Sequence, residues 1–252
     1  MKVFVVNLAR RPDRRARMER ILPRSWAVEY TTHWPGPRDG AAIRPAHLRG
    51  FALFDWQIDS HNAWWNRPLK LGEIGCAVSH WLCWQRAAAV HAERTLILED
   101  DVTLVGGIEH ALEMRLAELN ALDPEWDLVY VGRWVLEPDS DARLSPSIVR
   151  PAYSYCTFAY MLSATGLAKL LDVGFERALI PVDELLPALY MPHPRADVRR
   201  RYPPRLNAYA FDPPLVTQLP KEVAGSDTEA TGDYSGDLHP AALRLVGGTT
   251  DA

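Results

Sequence analysis

Apolar residues fall along the chain as short continuous runs and longer helical stripes, separated by polar turns. Val3 to Leu8 is the first run, the length of a buried strand. Arginines and Pro12 follow it. Proline suits the first position of a helix, and this one is expected to run to about Leu22. Ala27 to Thr32 reads as a second strand. Leu71 to Gly75 leads into a helix near Cys76 to Ala92, on which Cys76, Ser79 or His80, Cys83, Ala87 and Val90 share one stripe. Thr95 to Leu98 is another buried strand, and it ends abruptly in Glu99, Asp100 and Asp101. Gly106 and Gly107 open a helix over Ile108 to Leu122, stopped by Pro124, with Ile108, Leu112, Leu116 and Leu119 at helical spacing. Trp126 to Arg133 is a further strand. Ser154 to Leu162 alternates poorly but is rich in strand formers. A helix from Ser163 through Leu171 follows, then a helix start just after Pro181. Ala208 to Phe211 and Leu215 to Gln218 suggest late, short strands.

Three stretches lack a period. His33 to Pro68 is rich in Pro, Gly and Trp and is either functional or partly helical. Its Trp34, Trp56, Trp64 and Trp65 are core residues or stacking surfaces for sugar rings and bases. Glu137 to Ser147 is a polar loop. From Lys221 onward the chain is rich in Gly, Ser, Thr and Asp and is expected to be disordered unless a ligand orders it. The alternation of strands with helices predicts an α/β fold with a central, mostly parallel sheet flanked by helices. The boundaries expected are one folded domain over residues 1–235 and a polar tail over 236–252.

Charge and composition narrow the function. The formal net charge is −4, without a basic excess, which argues against nucleic acid as a partner. Cys76, Cys83 and Cys156 are odd in number and lack metal spacing, so a disulfide framework is not expected. The N-terminal apolar run is too short for a signal peptide, and no window reaches the length of a membrane span. A cytoplasmic protein is the expectation; the oligomeric state is not legible.

The chemistry gathers at strand ends. Three consecutive carboxylates repel one another and lose hydration unless a cation or hydrogen bonds satisfy them. The carboxyl end of a strand is also where α/β sheets bind ligands. A divalent metal site is the simplest account of Glu99, Asp100 and Asp101. In an extended chain Glu99 and Asp101 point to one side and Asp100 to the other. Asn7, Arg11 and Arg14 lie at the end of the first strand, where arginine either pairs with phosphate or forms an ordinary basic helix turn. Ser79 and His80 sit in the early turns of their helix, near free amides that attract anions, although a histidine on an apolar face is also a common core residue. Asp183 and Glu184 either serve as first-turn charges or form a second functional acid pair.

An ordered set of motifs carries a resemblance. Asn7-Leu8 is followed by Arg10-Arg11-Pro12-Asp13-Arg14, then by Gly72-Glu73-Ile74-Gly75-Cys76 with Ser79-His80, and by Glu99-Asp100-Asp101. Trp126-Asp127 with Tyr130-Val131-Gly132-Arg133, Tyr155 with Tyr160, Pro181-Val182-Asp183-Glu184, His193-Pro194 and Ser226-Asp227-Thr228-Glu229 complete it. The set resembles glycosyltransferase family 25, which includes bacterial lipooligosaccharide galactosyltransferases and procollagen galactosyltransferases. The resemblance implies a GT-A-like single domain, with a Rossmann-like nucleotide-binding half and an acceptor half. It also implies a UDP-sugar donor, Mn²⁺ or Mg²⁺, and inversion at the anomeric carbon.

Under that resemblance Asp101, with Glu99, holds the metal. Asn7, Leu8, Arg11, Arg14, Ser79, His80, Glu99, Asp100, Ser226 and Asp227 bind the donor. Inversion in one step requires a base on the acceptor hydroxyl, and Asp183 or Glu184 is expected to supply it. The acceptor is a glycan, or hydroxylysine in a collagen-like protein. Two other readings stand beside this one: a metal-dependent nucleotidyl transferase or phosphohydrolase, and a non-catalytic carbohydrate-binding protein on the same fold.

Overall fold

The computed structural model describes residues 1–136 and 140–234. The tail expected over 236–252 and the start of the 137–147 loop lie outside them. In chain order the elements are β1 (Lys2–Val6), α1 (Pro12–Ile21), β2 (Val28–Tyr30), α2 (Leu71–Ala89), β3 (Arg94–Glu99), β4 (Val102–Leu104), α3 (Ile108–Leu122) and β5 (Leu128–Val135). Then come β6 (Ala142–Arg143), β7 (Ile148–Arg150), β8 (Ser154–Ser163), α4 (Ala164–Asp172), α5 (Val182–Ala188), α6 (Ala196–Arg201), β9 (Ala208–Phe211), β10 (Val216–Gln218) and α7 (Lys221–Ala224).

The chain divides into two compact units. The first comprises residues 1–34, 82–173 and 182–225, and the second residues 35–81, 174–181 and the described chain from 226. The first unit holds an eight-stranded sheet in the order β2-β1-β3-β8-β5-β9-β7-β6 and a two-stranded ribbon of β10 and β4. The expected mixed α/β architecture is found. β1, β2, β3, β5, β6 and β9 run one way, and β7 and β8 run against them. Apolar runs reading as buried strands do form the centre: Val3, Phe4, Val5, Ile97, Leu98, Leu128 and Val129 are fully buried. Met18 of α1 and Leu112, Leu116 and Leu119 of α3 cover one sheet face together with Val3, Val5, Leu96 and Leu98. Residues of alternate parity face the other way; there the indole of Trp84, from the end of α2, donates to the Tyr160 hydroxyl at 2.9 Å.

The topology places a crevice. The chain leaves β1 through α1 to pair β2 on one side, and returns through α2 to pair β3 on the other. The carboxyl ends of β1 and β3, where Val6 lies beside Glu99, therefore flank the point at which connection direction reverses. Ligands of open α/β sheets bind at such a point.

β8 alternates poorly because it is bulged. Gly132 pairs Ala159 and Trp134 pairs Tyr155, so β8 uses four residues where β5 uses two. Cys156 in this bulge has φ +60°, the left-handed region that a side chain disfavours. Gly132, opposite the bulge, lets β10 approach closely: a Cβ there would lie 2.0 Å from the Val216 carbonyl oxygen.

The second unit has little regular structure. Leu53 bridges Leu179 in parallel, and Lys70 bridges Asp233 in antiparallel fashion. The tail expectation is corrected here for residues 221–234. α7 is helical, and the following segment packs against the first turn of α2. There the Gly72 amide donates to Thr231 Oγ1 at 2.8 Å, and Lys70 Nζ reaches the Glu229 carbonyl at 2.9 Å. Backbone contact holds this segment: a Cβ on Gly72 would lie 2.4 Å from the Thr228 carbonyl oxygen. Of the tryptophans, Trp56 is core, its indole donating to the Trp64 carbonyl at 3.0 Å. Trp64 lies at the surface beneath the Arg67 guanidinium.

Candidate active site

The first cluster lies where β1 and β3 end. Asn7 is buried and oriented on every side. Its Oδ1 accepts from the Thr32 hydroxyl at 2.6 Å, and its Nδ2 donates to Asp100 Oδ2 at 2.7 Å and to the Arg11 carbonyl at 3.1 Å. Arg14 of α1 donates through Nη1 to Asp100 Oδ1 at 2.7 Å, and through Nη2 to the carbonyls of Ala224 and Gly225 at 2.8 and 3.0 Å. Both Asp100 oxygens are thus taken by protein groups. Arg14 is half of a buried ion pair. Arg11 is turned onto Asp13 at 2.9 Å and the Ala224 carbonyl at 3.3 Å. Leu8 contributes its carbonyl to the Arg11 amide at 2.9 Å.

The extended alternation expected of the triplet ends at Glu99. Asp100 and Asp101 lie in a turn, and Arg14 reaches both, standing 3.5 Å from Asp101. Asp101 is 8% exposed, and Gln218 Nε2 sits 3.3 Å from each of its carboxylate oxygens. Glu99 accepts from the Thr157 hydroxyl at 3.4 Å. Burial above all, then repulsion from Glu99, pushes the Asp101 carboxyl up to about 7, because Arg14 offsets it only in part. Burial also raises Asp100, with Arg14 and Asn7 opposing. A buried carboxylate short of positive charge, with a second carboxylate close enough to repel it, fits a hard divalent cation held through oxygen.

The second cluster is built by β8 and the first turn of α5. Glu184 is 3% exposed. Its carboxylate accepts from the Tyr153 hydroxyl, from His193 Nε2 at 2.8 Å and from the Tyr155 hydroxyl at 3.4 Å. The Arg195 amide donates to His193 Nδ1 at 3.0 Å, which leaves the ring proton on Nε2, facing Glu184. Glu184 is therefore an enclosed carboxylate whose oxygens are held by three side-chain donors. Asp183 beside it is only partly buried. Charge from Asp183 and Glu184, after burial, raises the Tyr155 hydroxyl. Cys156 joins the two clusters: burial first, then Asp183, Glu99 and, to a lesser extent, Asp101 push its thiol up to about 12. The bulge of β8 thus brings both acid groups to one neighbourhood in the first unit.

The remaining expected residues lie in the second unit. Ser79 and His80 are fully buried in α2, and the Ser79 hydroxyl donates to the Gly75 carbonyl at 2.8 Å. Ser79 thus turns its hydroxyl to its own helix. Ser226 accepts from the Glu229 amide at 3.1 Å, and Asp227 follows it, partly buried. Sequence reasoning assigned no role to Gln218, Thr157, Tyr153 or His193. Gln218, Thr157 and Tyr153 give no signal in the sequence, whereas His193-Pro194 belongs to the motif set.

Comparison with known proteins fixes the kinship. The model of glycosyltransferase family 25, an LPS biosynthesis protein family, matches residues 1–186. A probable inactive glycosyltransferase 25 family member 3 of Bos taurus is 34% identical over 246 residues, covering 94% of this chain and 40% of that protein. Procollagen galactosyltransferase 2 of Mus musculus is 32% identical over 243 residues, covering 91% of this chain and 37% of that protein. Procollagen galactosyltransferase 1 of Danio rerio is 30% identical over 247 residues, with 94% and 40% covered. The chain spans well under half the length of these relatives.

Proposed function

The chain belongs to glycosyltransferase family 25, and on that premise we propose that it is an inverting, metal-dependent transferase that moves galactose from a UDP-sugar to a hydroxyl of a glycan or of hydroxylysine. The observation that carries this reading is Asp101, a buried carboxylate at the end of β3 whose charge is offset only in part. Asp101 and Glu99 would hold Mn²⁺ or Mg²⁺. When bound, the cation would offset the negative charge that develops on the leaving diphosphate.

The chain's own groups divide the rest of the work. Asn7 and Arg14 fix Asp100, and through the turn they fix Asp101. Asp183 takes the proton of the acceptor hydroxyl as its oxygen bonds to the anomeric carbon. The bond from that carbon to the diphosphate oxygen breaks, and its electron pair leaves with UDP. Glu184, held by Tyr153 and His193, keeps α5 in register so that the charge of Asp183 lies near enough to act on Cys156 and Tyr155. Asp183 is chosen over Glu184 because it is the less enclosed carboxylate.

Incubation with UDP-galactose, Mn²⁺ and a set of glycan and hydroxylysyl-peptide acceptors tests the reading. Transfer should depend on metal, Asp101→Asn should abolish it, and Asp183→Asn should abolish transfer while donor binding persists. Nucleotide hydrolysis without transfer to any acceptor would favour the hydrolase reading. The kinship to a protein named inactive favours a non-catalytic second reading. That reading expects sugar to bind without metal and Asp101→Ala to leave binding intact.

A further inference from the structure

Trp134 stands apart from the tryptophans of the core. It is 60% exposed, whereas Trp56, Trp84 and Trp126 are 3% or less. β5 is buried over its first residues and delivers Trp134 to solvent only near its carboxyl end, at the edge where β3 delivers Glu99. Trp134 pairs Tyr155 directly across the antiparallel ladder, so the two side chains stand on one face as neighbours. The Tyr155 ring meets Tyr153 edge-on at 5.7 Å, and both hydroxyls point to Glu184. An aromatic row thus runs from open solvent to the acid pair of α5. The opposite face anchors it: Arg133 is tied to the Ser154 hydroxyl at 2.7 Å and to Asp141.

We propose that Trp134 and Tyr155 form an acceptor subsite that takes a pyranose ring, which makes a sugar, rather than the bare hydroxylysine side chain, the preferred acceptor. This rests on the transferase reading above. A large, flat, exposed indole suits the C–H face of a pyranose, which it would shield from water. The Tyr155 hydroxyl donates its proton to Glu184, so its oxygen remains an acceptor for a sugar hydroxyl. The sugar's own nucleophilic hydroxyl then reaches Asp183, the residue next to Glu184.

Two measurements test it. Saturation-transfer NMR with methyl β-D-galactopyranoside and methyl β-D-glucopyranoside should show binding to the wild-type protein. Binding should fall at least fivefold in Trp134→Ala and be largely kept in Trp134→Phe. With UDP-galactose and Mn²⁺, Trp134→Ala should raise the KM for a glycoside acceptor at least tenfold more than it raises the donor KM. Pyranoside binding that Trp134→Ala leaves intact would overturn the proposal. So would equal changes in both KM values, or loss of a wild-type dimer in the variant with unaltered sugar binding, which would make Trp134 a protein contact. If the wild-type protein does not turn over UDP-galactose at all, the transferase reading fails, and the NMR comparison still decides whether Trp134 holds a sugar.

Discussion

Asp101→Asn should stabilise the metal-free protein while destroying its metal response. Asp101 ionises at about 7 instead of 3.8 because burial and Glu99 oppose its charge. A rise of that size corresponds to up to about 4 kcal/mol, at about 1.36 kcal/mol per unit. The sign follows from linkage. The folded state binds the proton more tightly than the unfolded state, so stability is full below the unfolded value near 4. It falls as pH rises through about 7 and stays low above that. Asparagine keeps an oxygen for Gln218 and carries no charge, so it removes this cost in full at pH 8, less than half as much at pH 5 and almost nothing at pH 3. Thermal unfolding in EDTA should therefore show the variant melting roughly 5–10 °C above wild type at pH 8, with the gap narrowing at pH 5 and closing only near pH 3. Added Mn²⁺ should raise the wild-type midpoint at pH 8 and leave the variant unmoved. A variant less stable than wild type at pH 8 without metal, or a gain that does not depend on pH, would refute the reasoning.

Other outcomes follow from the same geometry. Arg14→Met strips the buried Asp100 and Asp101 carboxylates of the cation they share and should cost about 3 kcal/mol in chemical denaturation at pH 8, opposite in sign to Asp101→Asn. Glu184→Gln turns an amide N–H toward the Tyr153 and His193 donors and should cost about 2 kcal/mol while leaving metal affinity near wild type by titration calorimetry. Gly132→Ala forces a methyl against the Val216 carbonyl; proteolysis should find the β10 segment loosened and overall stability lower by more than about 2 kcal/mol. Cys156 should react slowly with iodoacetamide at pH 8, and Asp183→Asn should speed it by lowering the thiol's pKa toward its ordinary value. An unchanged rate would place Asp183 away from Cys156.

The sequence spoke clearly where one residue class filled one period. α3 was expected and found over Ile108–Leu122, and β3 with its acidic end was legible because buried strands read as apolar runs. β8 was blurred for a physical reason: two extra residues in its bulge break the alternation, and they are also what aims Tyr155 and Cys156. The roles of Asp100 and Arg14 were hidden because pairing across 86 residues leaves no local pattern. Asp183 and Glu184 are adjacent and alike in sequence. Only their burial and donors separate an enclosed carboxylate from a less enclosed one. The order of the segment after Lys221 was missed because backbone contacts at Gly72, not apolar side chains, hold it.

The central claim is best tested by the stereochemistry of the product. UDP-α-galactose, Mn²⁺ and a glycoside acceptor should give, with the wild-type protein, a new galactoside whose anomeric proton in NMR shows the large coupling of a β linkage. Asp183→Asn should give none. An α-linked product, or release of free galactose and UDP with no new glycoside, would contradict the account.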